Sequence, residues 1–227
     1  MQTIIDLQNI KFSYPKNSEP ILEDISLNLK EEEIVFLLGA NGCGKSTLFK
    51  LLIRDLEPSS GQLFMRKNIA IVYISQNIQQ NLFLDLTIQE NITLMNIYFS
   101  HEKKAKAYLE TYNRNLPLYF NQPVKMLSGG EKQALALSIH LYAKPDVLLL
   151  DEHTSALDPE AEKVLMELTY QKIIQQRITT LICTHKVSLA DKYSHRIIGL
   201  NKGKLVLEVM NTKKGLSTKE LSMIYGS

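Results

Sequence analysis

What the sequence holds little of narrows its function before any motif is read. Its two cysteines, Cys43 and Cys183, show no metal-ligand spacing, which suits a reduced, cytosolic setting. No window approaches the roughly 18 uninterrupted apolar residues of a membrane span. The opening Met-Gln-Thr-Ile-Ile-Asp lacks the charged and apolar regions of a signal peptide. Charge of either sign is nearly balanced at a net +2 with no dense Lys/Arg stripe, which argues neither for nor against nucleic acid; none is expected as a partner. Lys103, Lys104 and Lys106 read as a solvated helix face. Internal repeats, low-complexity tracts and a disordered linker are missing too. What remains is an ordinary globular composition, 44% hydrophobic and 22% charged over 227 residues. That length allows one large domain or two modest ones with a full core.

Against this background one stretch carries chemistry. Residues 36–47 read Phe-Leu-Leu-Gly-Ala-Asn-Gly-Cys-Gly-Lys-Ser-Thr. An apolar run from Ile34 to Leu38 predicts a buried strand, Gly39 breaks it, and a helix-compatible run follows from Ser46 to Arg54. Gly39 to Ser46 fits G-x-x-x-x-G-K-[ST] in the strand–loop–helix context which that phosphate-binding signature requires. Gly39, Gly42 and Gly44 let successive backbone N–H groups converge on an anion, and the helix start adds positive potential there. Lys45 can reach the outer phosphates, and the Ser46 hydroxyl can ligate Mg²⁺.

The rest of the chain alternates strands with helices. Ile4–Ile10 and Ile21–Leu29 predict strands with alternating polar residues, Ile69–Ser75 an apolar strand ending at Gln76. From Leu86 to Leu116 the character is helical: Thr87-Ile-Gln-Glu90 has the capping-box pattern, and Ala105, Tyr108, Leu109 and Tyr112 share one helical face. Asp146–Leu150 predicts a short apolar strand, and Ala161, Val164, Leu165 and Leu168 mark an amphipathic helix. Strands at Ile178–Thr184 and Arg196–Leu200 and a hairpin at Asn201-Lys-Gly203 complete an α/β layer fold with parallel strands.

Two further constellations accompany the phosphate loop. Val147-Leu-Leu-Leu-Asp151-Glu152 is a hydrophobic strand ending in carboxylates. Beside a phosphate loop, Asp151 would hold Mg²⁺ through water, and Glu152 could polarise the attacking water as general base. In Met126-Leu-Ser-Gly-Gly-Glu131, Ser128 and Glu131 have capping-box spacing, and two glycines at a helix start expose N–H groups to an anion. Plain helix capping explains this last stretch equally well.

The order of these motifs, with Gln76, Ser155-Ala-Leu-Asp158 and Thr184-His185 in their places, resembles the ATP-binding cassette ATPases over essentially the whole chain. The resemblance implies a P-loop NTPase of ABC type: a mixed β-sheet core, an N-terminal antiparallel β subdomain and an inserted helical subdomain. The 1–227 domain would divide into β elements at 1–33 and 55–70, a core at 34–54 and 145–227, and a helical part at 85–144 bearing the signature. It implies an ATP site formed by Tyr14 stacked on adenine and by Gly39, Asn41, Gly42, Cys43, Gly44, Lys45, Ser46 and Thr47. Ser46, Gln76 and Asp151 would serve Mg²⁺; Glu152, His185, Gln76 and Lys45 would serve catalysis. Ser128, Gly129 and Gly130 would bind the γ-phosphate held by a second subunit, with Asp158 at the junction of a head-to-tail pair. A separate permease would supply the membrane part, placing the chain in the cytoplasm on the inner face of the membrane. The run 151–159 with Gln133-Ala-Leu is similar to ATPases of bacterial aromatic amino acid uptake, which brings in a solute-binding protein as partner. A non-transport cassette, of cell-division or other mechanochemical role, is one alternative; a P-loop kinase or GTPase is another, and the kinase reading leaves Ser128-Gly-Gly, Asp158 and His185 unexplained.

Three departures stand out. Glu131 occupies a position where Gln is common, His153 follows Glu152 where Pro is more familiar, and the 61–76 stretch is short. His153 reads as a packed loop residue. Cys43, beside Lys45 at a helix start, is expected to be more reactive than an ordinary thiol, and Cys183 to be buried and inert.

Overall fold

The computed structural model describes residues 2–15, 19–154, 157–211 and 213–226. In chain order it builds β1 (Thr3–Phe12), β2 (Leu22–Lys30), β3 (Ile34–Leu38), α1 (Lys45–Leu52), β4 (Ser60–Met65) and β5 (Ile71–Ile74). There follow α2 (Ile88–Leu94), α3 (Glu102–Glu110), α4 (Gly129–Tyr142), β6 (Val147–Asp151), α5 (Pro159–Gln176) and β7 (Thr179–Thr184). The described chain closes with α6 (Val187–Tyr193), β8 (Arg196–Asn201), β9 (Lys204–Met210) and α7 (Thr218–Tyr225). Two units arise: one of Met1–Tyr73, Asp146–Glu152 and Arg177–Ser227, the other of Ile74–Pro145 and His153–Gln176.

The first unit holds two sheets. β1 pairs antiparallel with both β2 and β4, giving a three-stranded sheet in the order β2-β1-β4. Its alternating residues explain it: Leu22, Ile25, Leu27 and Leu29 go inward while Asp24, Ser26 and Lys30 stay out. The second sheet runs β5-β6-β7-β3-β8-β9. At its centre every residue of β3, β6 and β7 is buried, the three threonines of β7 included, as parallel strands covered on both faces require. β3 pairs parallel with β7 from Ile34↔Thr180 to Leu38↔Thr184, and β6 with β7 from Val147↔Thr179 to Asp151↔Cys183. The registers bring Leu38, Asp151 and Thr184 to one edge, where ligands bind in open α/β sheets. β8 turns back antiparallel into β9 through the hairpin expected at 201–203.

The second unit is helical apart from the end of β5 and short turns. The stretch expected to be helical from 86 to 116 divides: α2 ends at Leu94 with Met95 as its cap, Asn96 takes a left-handed φ of 53°, and α3 begins only after His101. The Thr87–Glu90 capping box starts α2 as the sequence suggests. The fold class read from the sequence stands, with strand ends displaced by one or two residues.

Candidate active site

In the first unit, β3 delivers the chain to the phosphate loop. Gly44 precedes α1 with φ 112°, a conformation that L side chains rarely adopt. As the first turn of α1, Lys45, Ser46 and Thr47 have N–H groups with no partner inside the helix, where the helix dipole adds positive potential. The Lys45 ammonium donates to the carbonyls of Gly39 at 2.8 Å and Ala40 at 3.1 Å, which pins it across the loop. Asn41 and Gly42 form the exposed crest of the loop.

The carboxylates stand where the register predicts. Ser46 Oγ donates to Asp151 Oδ2 at 2.8 Å, and the Tyr73 hydroxyl donates to the same oxygen at 3.2 Å. Burial raises the Asp151 carboxyl pKa above its ordinary value, against those two hydrogen bonds; neighbouring Glu152 raises it further and Lys45 lowers it. Glu152 has its Oε1 3.9 Å from Lys45 Nζ and 3.6 Å from His185 Nδ1. Lys45, Ser46, Asp151, Glu152 and His185 are therefore brought together. Tyr73 was missed, because nothing in a four-residue strand marks a tyrosine as the partner of a carboxylate seventy-odd residues on. Tyr14 is half-buried and meets Phe12 edge-on at 4.9 Å.

Cys43 corrects an expectation. It is 7% exposed, and burial pushes its thiol pKa up despite the opposing effects of Lys45 and the backbone donors. The cause is tertiary: Cys43 belongs to the hydrophobic core with Leu22, Leu48 and Leu200, and Gly203, at the β8–β9 turn, donates its N–H to the Cys43 carbonyl at 3.0 Å. Cys183 is fully buried, and burial raises its pKa well above the usual range.

The second unit carries the remaining candidates. Ser128 caps α4 in a reciprocal box: its Oγ accepts from Glu131 N at 3.3 Å, and its own N–H donates to Glu131 Oε2 at 2.8 Å. Burial alone would raise the Glu131 pKa, but hydrogen bonds from Ser128 and Asn115 outweigh it and hold the carboxyl below its ordinary range. A carboxylate thus serves this cap as an amide would. Gly129 and Gly130 form the first turn of α4. Asp158 Oδ1 accepts from the N–H groups of Glu160 and Ala161, capping α5 behind Pro159; Ser155 and Ala156 lie outside the described residues. Gly130 and Asp158 share the wall of a cavity of about 360 Å³ with Tyr112 and Ala134. Gln76 follows β5 and is exposed. His153 is buried, its pKa pushed down to about 4 by burial, so the imidazole is neutral near pH 7.

A glycine-turned helix start, a lysine laid across the loop, and a carboxylate pair at the end of parallel strand β6, Asp151 buried and Glu152 half-buried, define a P-loop nucleotide-binding protein. A family model described as ABC transporter matches residues 22–155. The chain is 34% identical to a tyrosine transport ATP-binding protein of Clostridioides difficile over 96% of each protein. It is 33% identical to the alpha-hemolysin translocation ATP-binding protein HlyB of Escherichia coli, over 89% of this chain but 30% of that protein. Among solved structures, cbiO1 of Clostridium perfringens, described as part of the ABC transporter complex cbiONQ, superposes with a TM-score of 0.78. It is 26% identical, over 97% of this chain and 93% of that one. The ATP-binding cassette MJ0796, solved as a dimer in a post-hydrolysis state with ADP and Pi, gives 0.76 at 26% identity, over 91% and 98%. The chain belongs to the ABC transporter family and is an ATP-binding ATPase.

Proposed function

We propose that this ATPase is the energy-supplying subunit of a transporter, working as a head-to-tail pair beneath a separate membrane permease. The observation that carries the reading is the position of Glu152, its carboxylate between Lys45 and His185 at the sheet edge where the phosphate loop opens. In this reading α1 and Lys45 hold the β- and γ-phosphates, Glu152 takes the proton of the attacking water, and His185 hydrogen-bonds the γ-phosphate. Tyr14 stacks on adenine, and Gln76 reports on the metal and the water. Ser46 and Asp151 present two hard oxygen donors 2.8 Å apart, a set that fits Mg²⁺ alongside phosphate oxygens. The ion, when bound, neutralises charge on the outer phosphates.

The Ser128-Gly-Gly turn exposes N–H groups at the start of α4, a second anion-binding end that serves the partner's γ-phosphate in a pair. Asp158 lies at that junction, and 85–144 is the helical subdomain carrying the turn. Support for pairing comes from the dimeric cassette, and support for a membrane partner from cbiO1, each by similarity. No described helix is long and apolar enough to cross a membrane. In this reading the chain sits on the inner face of a separate permease.

For direction, the uptake of a small solute such as an aromatic amino acid is favoured by end-to-end coverage of the tyrosine transport relative, against the 30% of HlyB that is covered. A solute-binding protein then delivers the substrate. The test is uptake of radiolabelled tyrosine, phenylalanine and tryptophan by cells lacking this chain. Uptake should be lost, and regained with the wild-type chain but not with Glu152→Gln. Intact uptake of all three alongside a lost efflux would refute the assignment to import.

A further inference from the structure

The last helix of the described chain reaches the catalytic edge. α7 begins at a capping box: Ser217 N donates to Glu220 Oε2 at 2.7 Å, and Ser217 Oγ accepts from Glu220 N at 3.3 Å. Its far end is tied to β8. Asn201 Nδ2 donates to the Met223 carbonyl at 2.9 Å, and Ile224, 0% exposed, seats over Gly199. A Cβ on Gly199 would come within 2.6 Å of Ile224 Cγ1, so the close approach depends on glycine there. β8 lies next to β3 in the sheet, which brings the end of α7 to the phosphate-loop edge. There the Tyr225 hydroxyl donates to the main-chain carbonyl of His185 at 3.2 Å.

His185 has need of such a tie. Its side chain is 48% exposed, so packing alone does not fix the imidazole. One side of its backbone is held locally, where Lys186 N–H donates to Thr184 Oγ1 at 3.0 Å. Tyr225 supplies a hold from a distant segment. Tyr225 is 37% exposed, so the hydrogen bond lies at the surface; partial burial still raises its phenol pKa, with Cys43 and Glu152 adding to the rise.

We propose that Tyr225 is a positioning residue for ATP hydrolysis, its hydroxyl holding the His185 backbone so that the imidazole keeps its place beside Glu152. The proposal rests on the reading of His185 given above. One neutral hydrogen bond is at stake, so the expected effect is moderate.

Tyr225→Phe keeps the ring and removes the hydroxyl. In the full chain it should lower kcat about three- to tenfold and leave the KM for ATP within about twofold. With ¹³C-labelled histidine, the His185 resonance, assigned through His185→Ala, should shift and broaden in Tyr225→Phe. A merely structural tyrosine would move neither the kcat-to-KM split nor that resonance. Wild-type kcat with an unchanged His185 signal would overturn the proposal while leaving His185 in its role, provided that His185→Ala is impaired. Full turnover in His185→Ala would instead remove the reading on which the proposal stands. A raised KM at unchanged kcat would assign Tyr225 to nucleotide binding and overturn it too.

Discussion

Glu152 sits at φ 46°, in the left-handed region, where a non-glycine residue is uncommon and strained. Its N–H donates to the Cys183 carbonyl at 3.1 Å, so the sheet edge enforces a backbone that turns the carboxylate toward Lys45 and His185. Lys45 is a charge-assisted phosphate donor on the same edge. Lys45→Ala should weaken ATP binding about 10- to 100-fold, measured by calorimetry or nucleotide fluorescence. Unaltered affinity would contradict its placement. Cys43 carries a second outcome at this scale. With its thiol buried and its pKa raised, brief maleimide treatment should leave it largely unmodified and ATPase activity intact. Rapid, ATP-sensitive labelling at Cys43 would reverse the correction. The sequence misdirects here because it displays Lys45 and the helix start two residues away, while the core residues that bury the thiol, Leu22 and Leu200 among them, come from remote strands. His140 gives the pH dependence. Burial lowers its pKa below 6.5, against the pull of the α4 C-terminus. The unfolded chain therefore binds more protons below pH 6.5, and stability should rise with pH through that window and fall on acidification. Urea unfolding at pH 7 and pH 5 should show a shallower pH response in His140→Gln than in the wild type; equal slopes would count against it.

Among the elements, the legible ones are those whose cause is local. The apolar runs of β3 and β6, the β-branched run of β7, the 201–203 hairpin and the Thr87 and Ser128 capping boxes all announce themselves in adjacent residues. The break between α2 and α3 does not, since residues 95–101 are apolar enough to pass for helix and the left-handed turn at Asn96 stops it. α7 was legible and unread: Ser217 and Glu220 repeat the spacing recognised at Ser128 and Glu131. Its contacts with Gly199 and His185 are tertiary and carry no local mark. The α4 cap makes a prediction proper to the element. Ser128→Ala should cost about 1 kcal/mol of stability, and Glu131→Gln less than about half of that, by urea unfolding. A loss in Glu131→Gln as large as in Ser128→Ala would mean that the box depends on the charge, and not merely on an acceptor.

For the whole molecule, the phosphate loop, Asp151, Glu152 and His185 belong to one unit, and Ser128, Gly130 and Asp158 to the other. In the proposed head-to-tail pair each nucleotide would be held by two chains, which the sequence conveys only through motif order and no single-chain distance can express. Mixing Ser128→Arg chains with Lys45→Ala chains should place both lesions in one site of the heterodimer and restore activity in the other. The account's central claim is that Glu152 is the base of an ATPase whose pairing is driven by bound ATP. Its most direct measurement is sedimentation velocity of Glu152→Gln with Mg-ATP, read together with phosphate release. The account predicts a stable dimer that holds ATP and releases no phosphate beyond background. A monomer with bound ATP, or near-wild-type phosphate release, would contradict it.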